Sequence, residues 1–448
     1  MKTIVEGQER VRKLWGKQQC TDVAYRPLKY ILRAECADGL LLQNVITGQV
    51  VLLTDEEASL FTGSKKVSLS TGPKEILLPL IENYFLVPED YTEKETVVVL
   101  RKLSERLFPA AGINGYMILP TTNCNARCAY CFEQNISRAS MDSETAERII
   151  AYIEAKKGPG PINIHWFGGE PLLGIGHIDH ICHLLNERNI AFDSIMTSNG
   201  YLFDESTVEK AAGLWKLKRV QITLDGTEDN YNSIKSYSHA QTSPFRRVLN
   251  NISLLLQKGI EVKLRLSLTS ANACDLDKLI DELESLFKGC SHLLPYVGLV
   301  SDEFLTAYDE TCEWERLSPE HIQEYQALTD RIEEIWPSKP TIDGLSVTHC
   351  MADNDGDVAI MPDGKLLKCE NIVDDDQAFG SIYSDVQDPK NRLKFKEKKE
   401  FERCGNCPLY PSCILLRECI PARKINELYC KYAVEHSEKK LLYYCQNL

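Results

Sequence analysis

The chain has no long run of apolar residues. No stretch approaches the roughly 20 residues that a membrane-spanning helix needs, so a helical membrane span is not expected. It also lacks an excess of positive charge: 51 Lys and Arg stand against 65 Asp and Glu, a net charge of −14. That balance disfavours a general nucleic-acid binder. The opening stretch "MKTIVEGQERVRK" lacks the apolar segment of a secretory signal. No low-complexity tract interrupts the 448 residues, and 43% of them are hydrophobic. The expectation from these absences is a soluble, cytoplasmic chain. It is too long for one ordinary core, so roughly two to four domains are expected.

Cysteine is abundant instead, with 17 residues. The count is odd, the spacings are short and no export signal is seen, so metal binding is favoured over a disulfide framework. Ten cysteines form three groups: Cys124, Cys128 and Cys131; Cys350 and Cys369; and Cys404, Cys407, Cys413, Cys419 and Cys430. The other seven (Cys20, Cys36, Cys182, Cys274, Cys290, Cys312, Cys445) are scattered and are expected to be buried thiols.

The hydrophobic pattern divides the chain. "LKYILRAE" and "GLLLQNVITGQVVLL" alternate around the turn signals Asp38-Gly39 and Thr47-Gly48, which predicts strands. Thr54 with Glu57 predicts a capping box, and "PKEILLPLIENYF" a second helix. This is a small α+β domain over residues 1–105, either a structural cap or a module whose strand edge accepts a peptide. From residue 113, six apolar runs ("GYMILPT", "INIHWFGG", "FDSIMTS", "RVQITLD", "EVKLRLSL", "LLPYVGL") alternate with amphipathic segments. The expected fold class is α/β, a partial (β/α)6 barrel over 113–310 with ligands at the C-terminal strand ends. Residues 311–349 are expected to bridge to a cysteine-rich domain, 350–448, organised by metal rather than by an apolar core.

The motifs fall where such a barrel puts its chemistry. Cys124-x3-Cys128-x2-Cys131 follows the first strand. Thiolates suit zinc and iron–sulfur clusters, and a structural zinc wants four ligands. Three thiols therefore suit a cubane with one open iron, or a zinc with a distant fourth ligand. Gly168, Gly169, Glu170 and Pro171 end the second strand. Glycines admit a close ligand or merely a turn, and Glu170 suits an ammonium group. Ser198 and Asn199 end the third strand; Thr223 and Asp225 end the fourth. Arg265 is a charge inside an apolar strand and needs an anion, either a ligand carboxylate or a core partner.

In this order the motifs resemble a radical S-adenosylmethionine (SAM) enzyme, over about residues 113–300. The resemblance implies that Cys124, Cys128 and Cys131 hold a [4Fe–4S] cluster whose open iron takes SAM. It implies Tyr130 and the Phe132 backbone beside the adenine and Glu170 on the methionyl ammonium, with Gly168, Gly169 and Pro171 also binding SAM. Ser198 and Asn199 would take the ribose or carboxylate, with Thr223 and Asp225 at the strand mouth and Arg265 on the carboxylate. SAM is then cleaved to a 5′-deoxyadenosyl radical that abstracts a hydrogen.

The later cysteines resemble the SPASM extension, which carries two auxiliary [4Fe–4S] clusters; Cys404-x2-Cys407 alone would equally fit a zinc ribbon. One spacing departs from the family pattern, with Arg417 where a cysteine would fall, and Cys419 takes that role. By the resemblance Cys404, Cys407, Cys413 and Cys430 hold the outer cluster. Cys350, Cys369 and Cys419 hold the inner one, leaving an open iron or a distant fourth ligand. Glu370 is a candidate proton acceptor there, or a surface carboxylate. Three clusters and SAM are thus the implied cofactors.

Residues 1–105 resemble the small PqqD-like winged-helix domain that binds leader peptides. The implied function is a maturase of a ribosomally made precursor peptide, forming a Cys sulfur-to-carbon thioether. Carbon–carbon cross-linking and sulfatase-type oxidation of Ser or Cys to formylglycine are the alternatives. The implied partners are the precursor peptide and an electron donor such as flavodoxin or ferredoxin. A zinc-stapled binding protein without catalysis is the remaining reading.

Overall fold

The structure, a computed structural model, describes residues 1–448 apart from 60, 62–65, 129, 132, 134–135, 239–241, 270–271, 301–318, 338–340, 349, 370–374, 397–401, 414–426 and 447–448. Phe132, Glu370 and Cys419 therefore lie outside the described residues. Contacts divide the chain into two units. One comprises 1–109, 339–350 and 397–448; the other comprises 110–338 and 351–396.

The first unit is built on an antiparallel sheet in the order β1 (Lys2–Val5), β5 (Gln49–Leu53), β4 (Gly39–Asn44), β3 (Ile31–Cys36). A short ribbon pairs β2 (Tyr25–Pro27) with β6 (Leu86–Pro88). The helices are α1 (Glu9–Trp15), α2 (Asp55–Ala58), α3 (Lys74–Glu82) and α4 (Glu93–Leu107). The expected capping box is present: the Thr54 hydroxyl accepts from the Glu57 N–H while the Glu57 carboxylate accepts from the Thr54 N–H.

The same unit recruits the chain's C-terminal part. The core of Leu41, Leu42, Val50, Phe85 and Val97 also contains Leu345, Tyr410 and Leu441. Arg101 of α4 donates to the carbonyls of Ser346, Tyr410 and Pro411 at 3.1, 2.8 and 3.1 Å. The last helix, α13 (Glu427–Gln446), packs on β3. The Glu438 carboxylate accepts from the Arg33 N–H on that strand. The described residues around Tyr410 and Leu441 therefore share an apolar core rather than standing as a region without one, a difference from the expected 350–448 domain.

The second unit alternates strand and helix. Its parallel strands are β7 (Gly115–Ile118), β8 (Ile162–Trp166), β9 (Phe192–Thr197), β10 (Leu217–Leu224), β11 (Glu261–Leu268) and β12 (Leu293–Leu299). They lie in sequential sheet order and match the six apolar runs. Between and after them run α5 (Ser143–Lys156), α6 (Ile175–Glu187), α7 (Glu205–Ala212), α8 (Glu228–Lys235), α9 (Pro244–Gln257), α10 (Ala273–Phe287) and α11 (Pro319–Ile335). Because strand side chains alternate, one sheet face buries Ile118, Ile164, Trp166, Met196, Ile222 and Leu264 in the main core with the helices.

Two details differ from expectation. The sheet continues past β7: β13 (Asp357–Ile360) pairs parallel with it, followed by antiparallel β14 (Lys365–Leu367) and β15 (Gly380–Ser381), and α12 (Pro389–Leu393) comes next in the chain. Residues 351–396 thus belong to the sheet unit. Leu328 and Ile332 of α11 are buried in the same core, so residues 319–335 are part of this unit rather than a bridge. Of the scattered cysteines, Cys182 is buried as expected, Cys274 is exposed, Cys20 and Cys290 are half-buried, and Cys36 is disulfide-bonded. No helix among the described residues is long and apolar enough to cross a membrane.

Candidate functional site

The cysteine loop starts at the C-terminal end of β7 and is pinned before it reaches the first thiol. Thr121 and Thr122 direct their hydroxyls to the carbonyls of Ala139 and Ser137, at 2.9 and 2.8 Å. The Ala139 N–H returns to the Thr122 hydroxyl. The loop is thus closed over itself, and it crosses the end of β8 at very short range. A Cβ on Gly168 would stand 2.2 Å from the Thr121 carbonyl oxygen, and one on Gly169 would stand 2.4 Å from that of Asn123. Gly168 also has φ +120°, a region side chains avoid. The glycine pair is therefore required by the neighbouring backbone itself. The Glu170 N–H then bonds the Asn123 carbonyl at 2.8 Å.

Glu170 differs most from its expected role. Its side chain is 0% exposed, and its carboxylate takes protein donors instead of facing outward. The Ser198 hydroxyl lies 2.9 and 3.1 Å from its two oxygens, the Asn199 N–H 2.8 Å and the Leu172 N–H 3.1 Å. Burial pushes its pKa up to about 7, against the pull of those bonds. The motif thus ties the end of β8 to the end of β9, and Pro171 starts the short turn that Glu170 caps. The clamp aims Asn199: its side-chain amide donates to Asn125 Oδ1 at 2.7 Å and lies 3.9 Å from Cys124 Sγ.

The thiols of Cys124, Cys128 and Cys131 are half-buried and close enough to act on one another electrostatically. Burial pushes those of Cys124 and Cys131 up to about 11, with the neighbouring thiols adding to it. Backbone N–H groups point at two of the sulfurs, that of Ala126 at Cys124 (3.4 Å) and that of Glu133 at Cys131. Beside them Asn125 Nδ2 is buried with no hydrogen-bond partner among the described residues. Three thiols in electrostatic reach of one another, N–H donors to two of the sulfurs and an orphaned amide donor suit an iron–sulfur cluster. No residue nearby completes a four-thiolate zinc shell among those described.

The sequence reading missed one contributor. Lys235, the last residue of α8, is buried beside the loop. Its Nζ lies 3.0 Å from the Tyr130 hydroxyl and 3.1 Å from Asp225 Oδ2, while Tyr130 donates to Asp225 Oδ1 at 2.6 Å. Burial alone would depress its pKa, but Asp225, Tyr130 and Cys128 hold it well above its ordinary value. The backbone joins in: Arg127 N–H bonds the Lys235 carbonyl and Ser238 N–H that of Asn125, both at 2.8 Å. The turn between uses Ser236 at φ 44°. The only sequence signal was a weakly apolar helix whose buried residues, Tyr231 and Lys235, stand four apart.

Arg265 and Thr223 face each other in register across β10 and β11, on the sheet face away from the core. Arg265 lies against Gly298, where a Cβ would meet Nε at 2.3 Å, and bonds the Leu299 carbonyl at 3.3 Å. Its Nε is buried and unpartnered among the described residues. A cavity of about 530 Å³ opens at the N-terminal half of the strands, lined by Met117, His165, Ile195, Arg219 and Glu261 among others. The cysteine loop is at the other end of the sheet.

The later cysteines divide between the units. Cys404, Cys407, Cys413, Cys430 and Cys350 belong to the first unit and Cys369 to the second. Burial raises the Cys407 pKa, and the thiols of Cys430 and Cys404 are close enough to add to it. Cys404 and Cys413 pack against the first unit's core.

Parallel strand order, the three-thiol loop and the clamped Gly-Gly-Glu-Pro turn define a radical SAM domain. Residues 118–283 match the model of the radical SAM superfamily, to which this domain belongs. The relatives are varied. An uncharacterized protein of Methanocaldococcus jannaschii is 29% identical over 171 residues, 38% of this chain and 58% of that protein. GTP 3′,8-cyclase of Clostridium botulinum is 33% identical over 126 residues, 27% of this chain and 38% of the cyclase. These two are thus matched over less than two thirds of their length. The serine-type anaerobic sulfatase-maturating enzyme of Klebsiella aerogenes is 24% identical over 318 residues, 65% of this chain and 76% of that enzyme. Among solved structures, native anSMEcpe with bound AdoMet superposes with a TM-score of 0.59 at 20% identity, over 74% of this chain and 99% of its own. That likeness is one of fold.

Proposed function

We propose that the chain is a radical SAM maturase that cross-links a ribosomally made precursor peptide, joining a Cys sulfur to carbon as a thioether. The observation that carries the enzymatic reading is the cysteine loop, with three thiols in electrostatic reach of one another, N–H donors to sulfur and a buried Asn125 Nδ2 that has no partner among the described residues. Cys124, Cys128 and Cys131 would hold a [4Fe–4S] cluster and SAM, which together supply hydrogen-atom abstraction. Asn125 and Asn199 would donate toward that group. Glu170 serves as the clamp that positions Ser198 and Asn199. Arg265, with its free Nε, would take the SAM carboxylate beside Thr223, and Tyr130 and Phe132 would border the adenine.

Two auxiliary clusters would account for the remaining cysteines. Cys404, Cys407, Cys413 and Cys430 would hold one, and Cys350, Cys369 and Cys419 the other, with an iron open to a substrate thiol and Glu370 as proton acceptor. A peptide substrate is supported by the fold shared with anSMEcpe, which has been solved with bound peptide. The matched enzyme is covered almost whole by about three quarters of this chain. The surplus suits an added leader-binding module over residues 1–105. The electron donor would be a flavodoxin or ferredoxin, and the compartment the cytoplasm.

The identity shared with the sulfatase-maturating enzyme over 318 residues favours formylglycine formation as the second reading. One experiment separates the two. The anaerobically reconstituted chain is incubated with SAM, reductant and the peptide from a small reading frame beside its gene, then analysed by mass spectrometry. Loss of two hydrogens together with one alkylatable thiol is expected. A new hydrazide-reactive aldehyde would replace the thioether by formylglycine, with the thiol count unchanged if a Ser is oxidised and one lower, with its sulfur released, if a Cys is.

A further inference from the structure

Lys235 has no part in the motifs that define a radical SAM domain, yet it is 4% exposed beside the cysteine loop. A lysine so buried is uncommon without a paired charge. One partner is Asp225, at 3.1 Å, and the pair shares the Tyr130 hydroxyl. The other neighbour is the Cys128 thiol, to which the Lys235 ammonium donates and on which Asp225 acts with opposite sign. The arrangement is held from both sides. The Lys235 carbonyl takes the Arg127 N–H, next to Cys128 in sequence, and Asn272 Nδ2 holds the Asp225 carbonyl at 3.0 Å.

We propose that the Lys235–Asp225 pair sets the reduction potential of the cluster held by Cys128, the ammonium raising it and the carboxylate lowering it. The inference rests on the assignment of that cluster to Cys124, Cys128 and Cys131. Reduction adds one electron, taken from a low-potential donor of the flavodoxin or ferredoxin class, and no bond is made or broken in the step. The added negative charge spreads onto the ligand sulfurs. A hydrogen-bonded ammonium at one of them stabilises the reduced cluster more than the oxidised one. The Asp225 carboxylate, which acts on the same thiol with opposite sign, does the reverse. Tyr130 holds the two charges at fixed separation, so it is a positioning residue here, as are Lys235 and Asp225.

The test is a redox titration of the full chain, followed by electron paramagnetic resonance. The cluster concerned is identified as the one whose signal changes when SAM is added. Lys235→Met is expected to lower its potential by at least a tenfold change in the reduction equilibrium, about 59 mV for one electron. Asp225→Asn is expected to raise it, and Lys235→Arg to leave it near the parent value. Should the methionine variant take up no iron, Lys235→Gln keeps a donor without the charge and is titrated in its place, with a smaller fall expected. An unmoved potential in the Met or Gln variant, or a shift of the same sign with Asp225→Asn, overturns the proposal. A parent protein whose signal ignores SAM instead sinks the cluster assignment on which it rests.

Discussion

At the scale of single residues, close packing decides more than ligand chemistry does. Gly169 looks like a place for a ligand to approach, but the space a side chain would need is filled by the Thr122 and Asn123 carbonyls. Gly169→Ala should therefore cost about 1–3 kcal/mol from overpacking, read as a lower urea midpoint, and should weaken cluster retention as the loop shifts. Glu170 gives a second case. Glu170→Ala leaves the Ser198 hydroxyl and the Asn199 and Leu172 N–H groups without their acceptor. Each buried orphan costs about 1–3 kcal/mol. The expected outcome is a less stable protein whose affinity for SAM falls at least tenfold by equilibrium dialysis. Unchanged SAM affinity would mean that the clamp does not position Asn199. The motif was legible in the sequence, but the direction of its carboxylate was not, because hydrogen-bond partners from another strand are invisible in one.

At the scale of elements, strand and helix positions were mostly readable, since long period-two and period-3.6 patterns reflect burial. The six parallel strands fall on the expected runs. One element that escaped notice is α8, eight residues long with two buried side chains, too little periodicity to stand out. It carries Lys235, so the omission mattered. The last helix is another case. Its apolar residues are spread around it, and nothing in "ELYCKYAVEHSEKKLLYYCQ" points to a partner strand thirty residues from the chain's start. Arg101 is the fastening within that unit. Arg101→Met should leave the Ser346 and Tyr410 carbonyls without their donor, while that of Pro411 keeps the Ser346 N–H at 2.9 Å, at about 1–3 kcal/mol for each orphan that stays dry. Calorimetry should show a lower first transition while the SAM-dependent resonance signal is retained. Equal loss of that signal would place the two units in one cooperative fold.

For the whole molecule, the shared core changes how a leader-binding role is tested. Removing residues 1–105 would expose Leu345, Tyr410 and Leu441, so a truncation reports on stability as much as on binding. A point change at the sheet edge is cleaner. The β3 edge lies under α13, whereas β1 is the outer strand at the opposite edge, bulged between Thr3 and Val5. Strand addition needs an open edge. Ile4→Pro should thus weaken precursor binding at least tenfold in fluorescence anisotropy while iron content stays constant. Undiminished binding would move the peptide site elsewhere. The cluster number is tested by iron analysis: about twelve irons per chain are expected from three cubane clusters, and about eight from Cys407→Ala.

What the sequence determined by itself was local: the strand and helix rhythm, the three-thiol loop and the residue types at each strand end. Side-chain periodicity and turn chemistry act over a few residues, so one sequence reveals them. The tertiary structure decided what lies far apart along the chain. It joined the ends of the chain in one core, turned Glu170 inward and brought Lys235 to Cys128 across 107 positions. Those outcomes depend on which surfaces pack together, and no local pattern encodes that choice.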